Sequence, residues 1–73
     1  MEPNILNEIL LAVKRAKQKY PRFATHLFHA VSLAAEELGE MSKAANEGNI
    51  EAVRDEALDT ISVLVRILEM IEA

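Results

Sequence analysis

Two prolines and two glycines are the only strong helix breakers in this 73-residue chain. Pro21 and Gly48 fall between long stretches of helical periodicity. Proline removes a backbone donor and crowds the preceding turn, while glycine readily takes the left-handed conformation in which helices end. The chain is thereby divided into three segments. After Pro3, which suits a first helical turn, Ile5, Leu6, Ile9, Leu10, Val13 and Ala16 recur at helical spacing until Pro21 stops the run. A second helix is expected from within PRFAT through Leu27, Val31, Ala34, Ala35, Leu38, Met41 and Ala45, with Gly48 just past its end. Asn49 fits the N-cap of a third helix, and Glu51 sits in its first turn, where the helix dipole favours an acid. No segment alternates with period two, so no strand competes. The expectation is an all-α fold in one domain, residues 1–73, with helices over about 3–19, 22–46 and 49–72 and an antiparallel hairpin of the last two.

A chain this short buries only ~60% of its unfolded surface, yet 51% of its residues are apolar. In the last helix Ile61, Val63, Leu64, Val65, Ile67, Leu68, Met70 and Ile71 occupy nearly the whole circumference, and a helix apolar all round must be covered on more than one side. Two other helices of the same chain cannot do that. The expected assembly is therefore a homodimer or homotetramer, an oligomeric helical bundle with the third helix near the subunit interface. The absence of cysteine excludes disulfides and thiolate metal sites. MEPNILNEIL lacks the basic start of a secretory signal, and Arg66 and Glu69 interrupt the most apolar segment, ISVLVRILEMI, so no membrane span is expected. With a net charge of −4 and one basic cluster, KRAKQKYPR at residues 14–22, nucleic-acid binding is disfavoured. These features predict a cytoplasmic protein.

Against that background EELGE, Glu36 to Glu40, concentrates three carboxylates in five residues, and EALD, Glu56 to Asp59, follows in the next helix. Glu37 and Glu40 share a helical face, as do Glu56 and Asp59, each pair being i, i+3. In an antiparallel hairpin about Glu47 and Gly48, Glu40 lies level with Glu56 and Glu37 with Asp59. Two such charges ~4 Å apart repel by ~4 kcal/mol at an effective dielectric near 20, so a bare cluster would open the hairpin or raise some pKa values. A cation resolves the conflict. Ligands that are all oxygen favour a hard ion, Mg²⁺ or Mn²⁺, which retains waters and leaves positions for phosphate oxygens. Gly39, inside the helix, is easiest to justify where a backbone or ligand approaches closely.

EELGE, a fifteen-residue gap and EALD, within LAAEELGEMSKAANEGNIEAVRDEALDTISVLVRILE, resemble the core of the MazG-like nucleotide pyrophosphohydrolases, whose mark is ExxE, a variable gap and ExxD on two antiparallel helices. The similarity spans roughly residues 23–69. It implies Mg²⁺-dependent hydrolysis of a nucleoside triphosphate, often a deoxy or non-standard one, to the monophosphate and pyrophosphate in an oligomeric bundle. Carried over by position, Glu37, Glu40, Glu56 and Asp59 are the metal ligands, and Glu36 orients or deprotonates the attacking water. A related activity, phosphoribosyl-ATP pyrophosphohydrolysis, is a second expectation, although the glutamate-rich helix of that group usually lacks the Leu38-Gly39 pair. The third is a non-catalytic dimerising bundle that binds nucleotide or metal without turnover.

Many members of that family draw phosphate-binding Lys, Asn and Arg from a fourth helix, whereas this sequence stops at Ala73, so positive charge is expected from elsewhere. Arg66, two turns beyond Asp59 on nearly the same face, is the first candidate, with a salt bridge as its structural alternative. Lys14, Lys17 and Arg22 could serve from the first helix and the following loop, and Lys43 from one turn past Glu40, unless it simply pairs with Glu47. His26 and His29 lie on the glutamate side of the second helix; His29 is the better placed for a nucleotide contact, and packing is the plainer role for both. Phe23 or Tyr20 could stack on a base, with core packing as the simpler reading.

Overall fold

The structure, a computed structural model, describes residues 3–73. Three α-helices, α1 (Pro3–Lys19), α2 (Leu27–Asn46) and α3 (Ile50–Glu72), account for all of its regular structure, and the described residues contain no strand. The all-helical expectation holds.

The α2–α3 turn is dictated locally. Gly48 adopts φ +72°, and its N–H donates to the Ala45 carbonyl at 3.0 Å, while the Asn49 N–H donates to the Ala44 carbonyl at 3.0 Å. Those two bonds form the Schellman closure that satisfies carbonyls a helix end otherwise leaves without donors. Asn49 then starts α3: its side-chain oxygen accepts from the Ala52 N–H at 3.1 Å. Three residues thus end one helix and begin the next.

The start of α2 differs from the sequence expectation by five residues, Leu27 in place of residue 22. Residues 20–26 form an irregular loop instead. Its cause is tertiary. Phe23 turns inward beneath Arg66, whose guanidinium carbon sits 4.8 Å from the ring centroid, and α2 begins only once the chain has passed that contact. His26, extended at φ −158° and ψ 171°, caps the helix through Nδ1, which accepts from the His29 N–H at 3.3 Å. His26 is exposed and serves as a helix cap, not as the packed core group the sequence suggested.

α3 is the hub. It packs along α2 and along α1, while the backbones of α1 and α2 do not approach each other. Two ion pairs tie α1 to α3, Glu8 with Arg54 and Lys17 with Glu69, the latter at 2.8 Å. Lys17 is thereby committed to α3. Buried residues are few among those described: the small Ala30, Ala44 and Ser62, and the long Arg66. The Ser62 hydroxyl donates to the Leu58 carbonyl at 2.9 Å, so its burial leaves no donor unpaired. No large apolar side chain is fully buried among the described residues. Exposed instead are Leu6 and Leu10 on α1, Phe28 (85%), Val31 and Leu38 on α2, and Leu64, Leu68 and Ile71 on α3. The last three are spaced i, i+4, i+7 and form one uncovered stripe. Gly39 also faces open space, since no atom lies within 4 Å of a Cβ built there. Within the chain, nothing approaches it closely enough to require glycine.

Candidate metal and phosphate cleft

α2 and α3 bring three of the predicted carboxylates together. One oxygen from each of Glu37, Glu56 and Asp59 lies within 4.8 Å of the other two. Glu37 and Glu56 are half-buried and Asp59 exposed. Helical period explains the convergence: i, i+3 spacing points Glu56 and Asp59 the same way from α3, and the short turn brings α2 alongside. Glu40 stands outside the trio, on the exposed side next to Glu56.

The electrostatics are those of a site short of positive charge. The Oε2 atoms of both Glu37 and Glu56 are buried and have no hydrogen-bond donor. Ionised carboxylates are acceptors only, so facing oxygens cannot satisfy one another unless a proton or a cation lies between them. The pKa of Glu56 is accordingly raised, first by burial and then by sharing a proton with Glu37. That of Glu40 is raised chiefly by the hydrogen bond and the charge of Glu56. Metal removes the same conflict without a proton. The donor set is all oxygen, with two orphaned atoms aimed inward, and it fits a hard divalent cation.

Two of the trio, Glu37 and Asp59 but not Glu56, line a cleft of about 590 Å³ between α1, the α1–α2 loop, α2 and α3, within the ~300–1,000 Å³ typical of small-molecule sites. Glu37, Asp55 and Asp59 line its acidic end. Arg15, Lys19 and Arg22 line it from α1 and the loop, with Tyr20, Phe23 and His29 as aromatic lining. Arg22 and His29, both expected as substrate contacts, are among these lining residues. Arg66 lines it too, but its guanidinium is already engaged. It is buried, donates to the Ala16 carbonyl at 3.3 Å and stacks on Phe23. Arg66 pairs with no carboxylate among the described residues, and its visible work is to hold the end of α1 and the loop against α3.

Other expected residues lie elsewhere. Lys14 and Lys43 are exposed, neither lines the cleft, and Lys43 makes no pair with Glu47. Glu36 is exposed beside Glu40 and is not part of the cleft wall. Three charged lining residues were not anticipated from the sequence: Arg15, Lys19 and Asp55. Asp55 had a signal, being one turn before Asp59 and so on the same face. Arg15 and Lys19 had only their mutual i, i+4 spacing.

No family model matches this chain, and no curated protein or solved structure is significantly similar to it.

Proposed function

We propose that this chain is a MazG-like, Mg²⁺-dependent pyrophosphohydrolase of nucleoside triphosphates, with Mn²⁺ as the alternative ion. The observation that carries the reading is the convergence of Glu37, Glu56 and Asp59, two of them with orphaned buried oxygens, beside a cleft that Glu37 and Asp59 line and that also holds unpaired arginine and lysine. Glu37, Glu56 and Asp59 would hold the ion, with Glu40 beside them. When bound, Mg²⁺ lowers the pKa of water and neutralises charge on phosphate oxygens.

The chain's own groups supply the rest. Hydrolysis joins the oxygen of a water to the α-phosphorus and breaks the bond to the α–β bridging oxygen, which leaves with pyrophosphate. The water's proton needs an acceptor within the cleft. Asp55 lines the cleft and Glu36 does not, so the proton-accepting role expected of Glu36 passes to Asp55 in this reading. The basic side chains orient the phosphates, and such positioning carries most of a phosphoryl-type reaction. The aromatic lining from Tyr20, Phe23 and His29 offers surfaces for a base or sugar.

The same reading makes α2 and α3 an antiparallel hairpin within a homodimer or homotetramer in the cytoplasm. The exposed stripe Leu64, Leu68 and Ile71, with Phe28, Val31 and Leu38, supports association, because a monomer would leave these side chains in water. Binding without turnover is a second reading, favoured by the position of Glu36 outside the cleft.

The test is pyrophosphate release from a panel of ribo- and deoxynucleoside triphosphates plus phosphoribosyl-ATP, with Mg²⁺ or with EDTA, using Glu56→Gln and Asp55→Asn as controls. Metal-dependent release lost in both variants establishes the enzyme and identifies its substrate class. No release from any substrate by folded protein that binds Mg²⁺ leaves only the non-catalytic reading.

A further inference from the structure

α1 carries four cations between residues 14 and 19, and the fold sorts them by face. Lys17 pairs with Glu69, away from the acidic cluster. Lys14 is exposed and does not line the cleft. Arg15 and Lys19, one turn apart, both line it, and Arg22 joins them from the loop. Ala12 and Ala16 line the cleft on the same helix.

None of Arg15, Lys19 and Arg22 is in an ion pair among the described residues, although Glu37, Asp55 and Asp59 line the same cleft. Lys19 does lie 5.3 Å from the Tyr20 ring centroid, a contact that steadies the ammonium without neutralising it. The cleft thus has an acidic pole, carboxylates from α2 and α3, and a basic pole, cations from α1 and the loop, that do not pair with each other. Arg66, between α3 and the loop, is engaged with Ala16 and Phe23. Its stacking on Phe23 fixes the segment that presents Arg22.

A ligand that satisfies both poles must present a cation to one and several anionic oxygens to the other. Arginine and lysine together suit phosphate oxygens, arginine through paired N–H donors and lysine as a point charge. We infer that Arg15, Lys19 and Arg22 form a pyrophosphate-binding subsite. It holds the terminal phosphates of a divalent-cation–polyphosphate complex whose metal sits at Glu37, Glu56 and Asp59. The inference rests on the metal reading of the acidic end. It also assigns a direction: the phosphate chain runs from the acidic pole toward α1, so the group held by the basic pole is the one that leaves.

The test is calorimetric titration of inorganic pyrophosphate plus Mg²⁺ into the full chain, which needs no turnover. Arg15→Gln/Lys19→Gln is compared with Lys14→Gln/Lys43→Gln, which removes the same charge from exposed positions off the cleft. Circular dichroism checks that both stay helical. Binding by the wild type, weakened by about 10- to 100-fold in the first variant and nearly unchanged in the second, is the expected result. No binding by the wild type, equal weakening in both variants, or no weakening in the first overturns the subsite. The catalytic reading fails separately. Pyrophosphate binding with the expected variant pattern but no hydrolysis of any triphosphate leaves the subsite standing, and hydrolysis with unaltered pyrophosphate binding leaves only the enzyme.

Discussion

Replacing Glu56 by glutamine should move stability in opposite directions with and without metal. In the metal-free chain Glu56 faces Glu37 and Asp59 with carboxylate oxygens no more than 4.8 Å apart. Two unit charges at that separation repel by ~1 kcal/mol in water and by ~3.5 kcal/mol at an effective dielectric of 20. Asp59 is exposed and Glu56 only half-buried, so solvent screening pulls the value toward the lower figure. Relief of about 1–2 kcal/mol is expected, and the glutamine amide can in addition donate to the orphaned Oε2 of Glu37. In a domain of this size that raises Tm by about 5–15 °C. With Mg²⁺ at a hundred times its Kd the wild type gains ~2.7 kcal/mol, and the variant, deprived of one of three carboxylates, gains far less. The assay is thermal unfolding followed by circular dichroism at fixed protein concentration, with EDTA or titrated Mg²⁺. A lower metal-free Tm in the variant, or equal Mg²⁺ shifts in both proteins, would refute the claim that these carboxylates form a frustrated cation site.

Three further outcomes follow from the same geometry. Phe28→Asp should leave the isolated helices intact, because Phe28 is 85% exposed, but should weaken self-association by at least about tenfold, the value of burying one phenylalanine; light scattering that finds the wild type monomeric at micromolar concentration removes the premise. Gly39→Ala should raise Tm by about 4–8 °C, since a Cβ there meets nothing within 4 Å and alanine gains ~1 kcal/mol over glycine inside a helix; a lower Tm or weaker association would mean that another chain closes on this position. The metal-free protein should lose stability as pH rises. Glu40 and Glu56 both titrate above their ordinary 4.5 in the folded state, so the folded chain holds extra protons, and their contribution is complete below that value and vanishes as pH climbs through the raised ones. Melting between pH 5 and 8 in EDTA checks this, and a Tm that rises with pH, or the same slope in Glu56→Gln, contradicts it.

Parts of this molecule were legible in the sequence because their causes are local. Pro21 and Gly48 punctuate the chain through their own backbone chemistry, and Asn49 caps α3 with an atom three residues from its partner. The acidic cluster was legible for the same reason: helical period sets i, i+3 faces, and a three-residue turn leaves little freedom in how α2 and α3 meet. The start of α2 was not. Leu33 and Leu27 suit a helix, but so do the residues before them, and only the Phe23–Arg66 contact across the fold explains why the helix waits until Leu27. The basic pole was hidden for a similar reason. Lys14, Arg15, Lys17 and Lys19 look equivalent along α1, and which of them reaches the cleft depends on how α1 rolls against α3. Arg66 shows the limit most clearly, since its helical phase relative to Asp59 was read correctly, while its engagement with Ala16 depends on a residue fifty positions away.

The hub arrangement bears on how the chain opens. Among the described helices α1 packs on α3 and not on α2, so it can detach while the α2–α3 unit, closed by its own short turn, persists. Amide hydrogen exchange should therefore fall into two tiers, with α1 exchanging at the lower opening free energy. A polyphosphate spanning the cleft would bridge α1 to the carboxylates of α2 and α3, adding a link between α1 and α2, whose backbones do not otherwise meet. Ligand binding would then merge the two tiers, and α1 would be the part of the molecule that gains most protection.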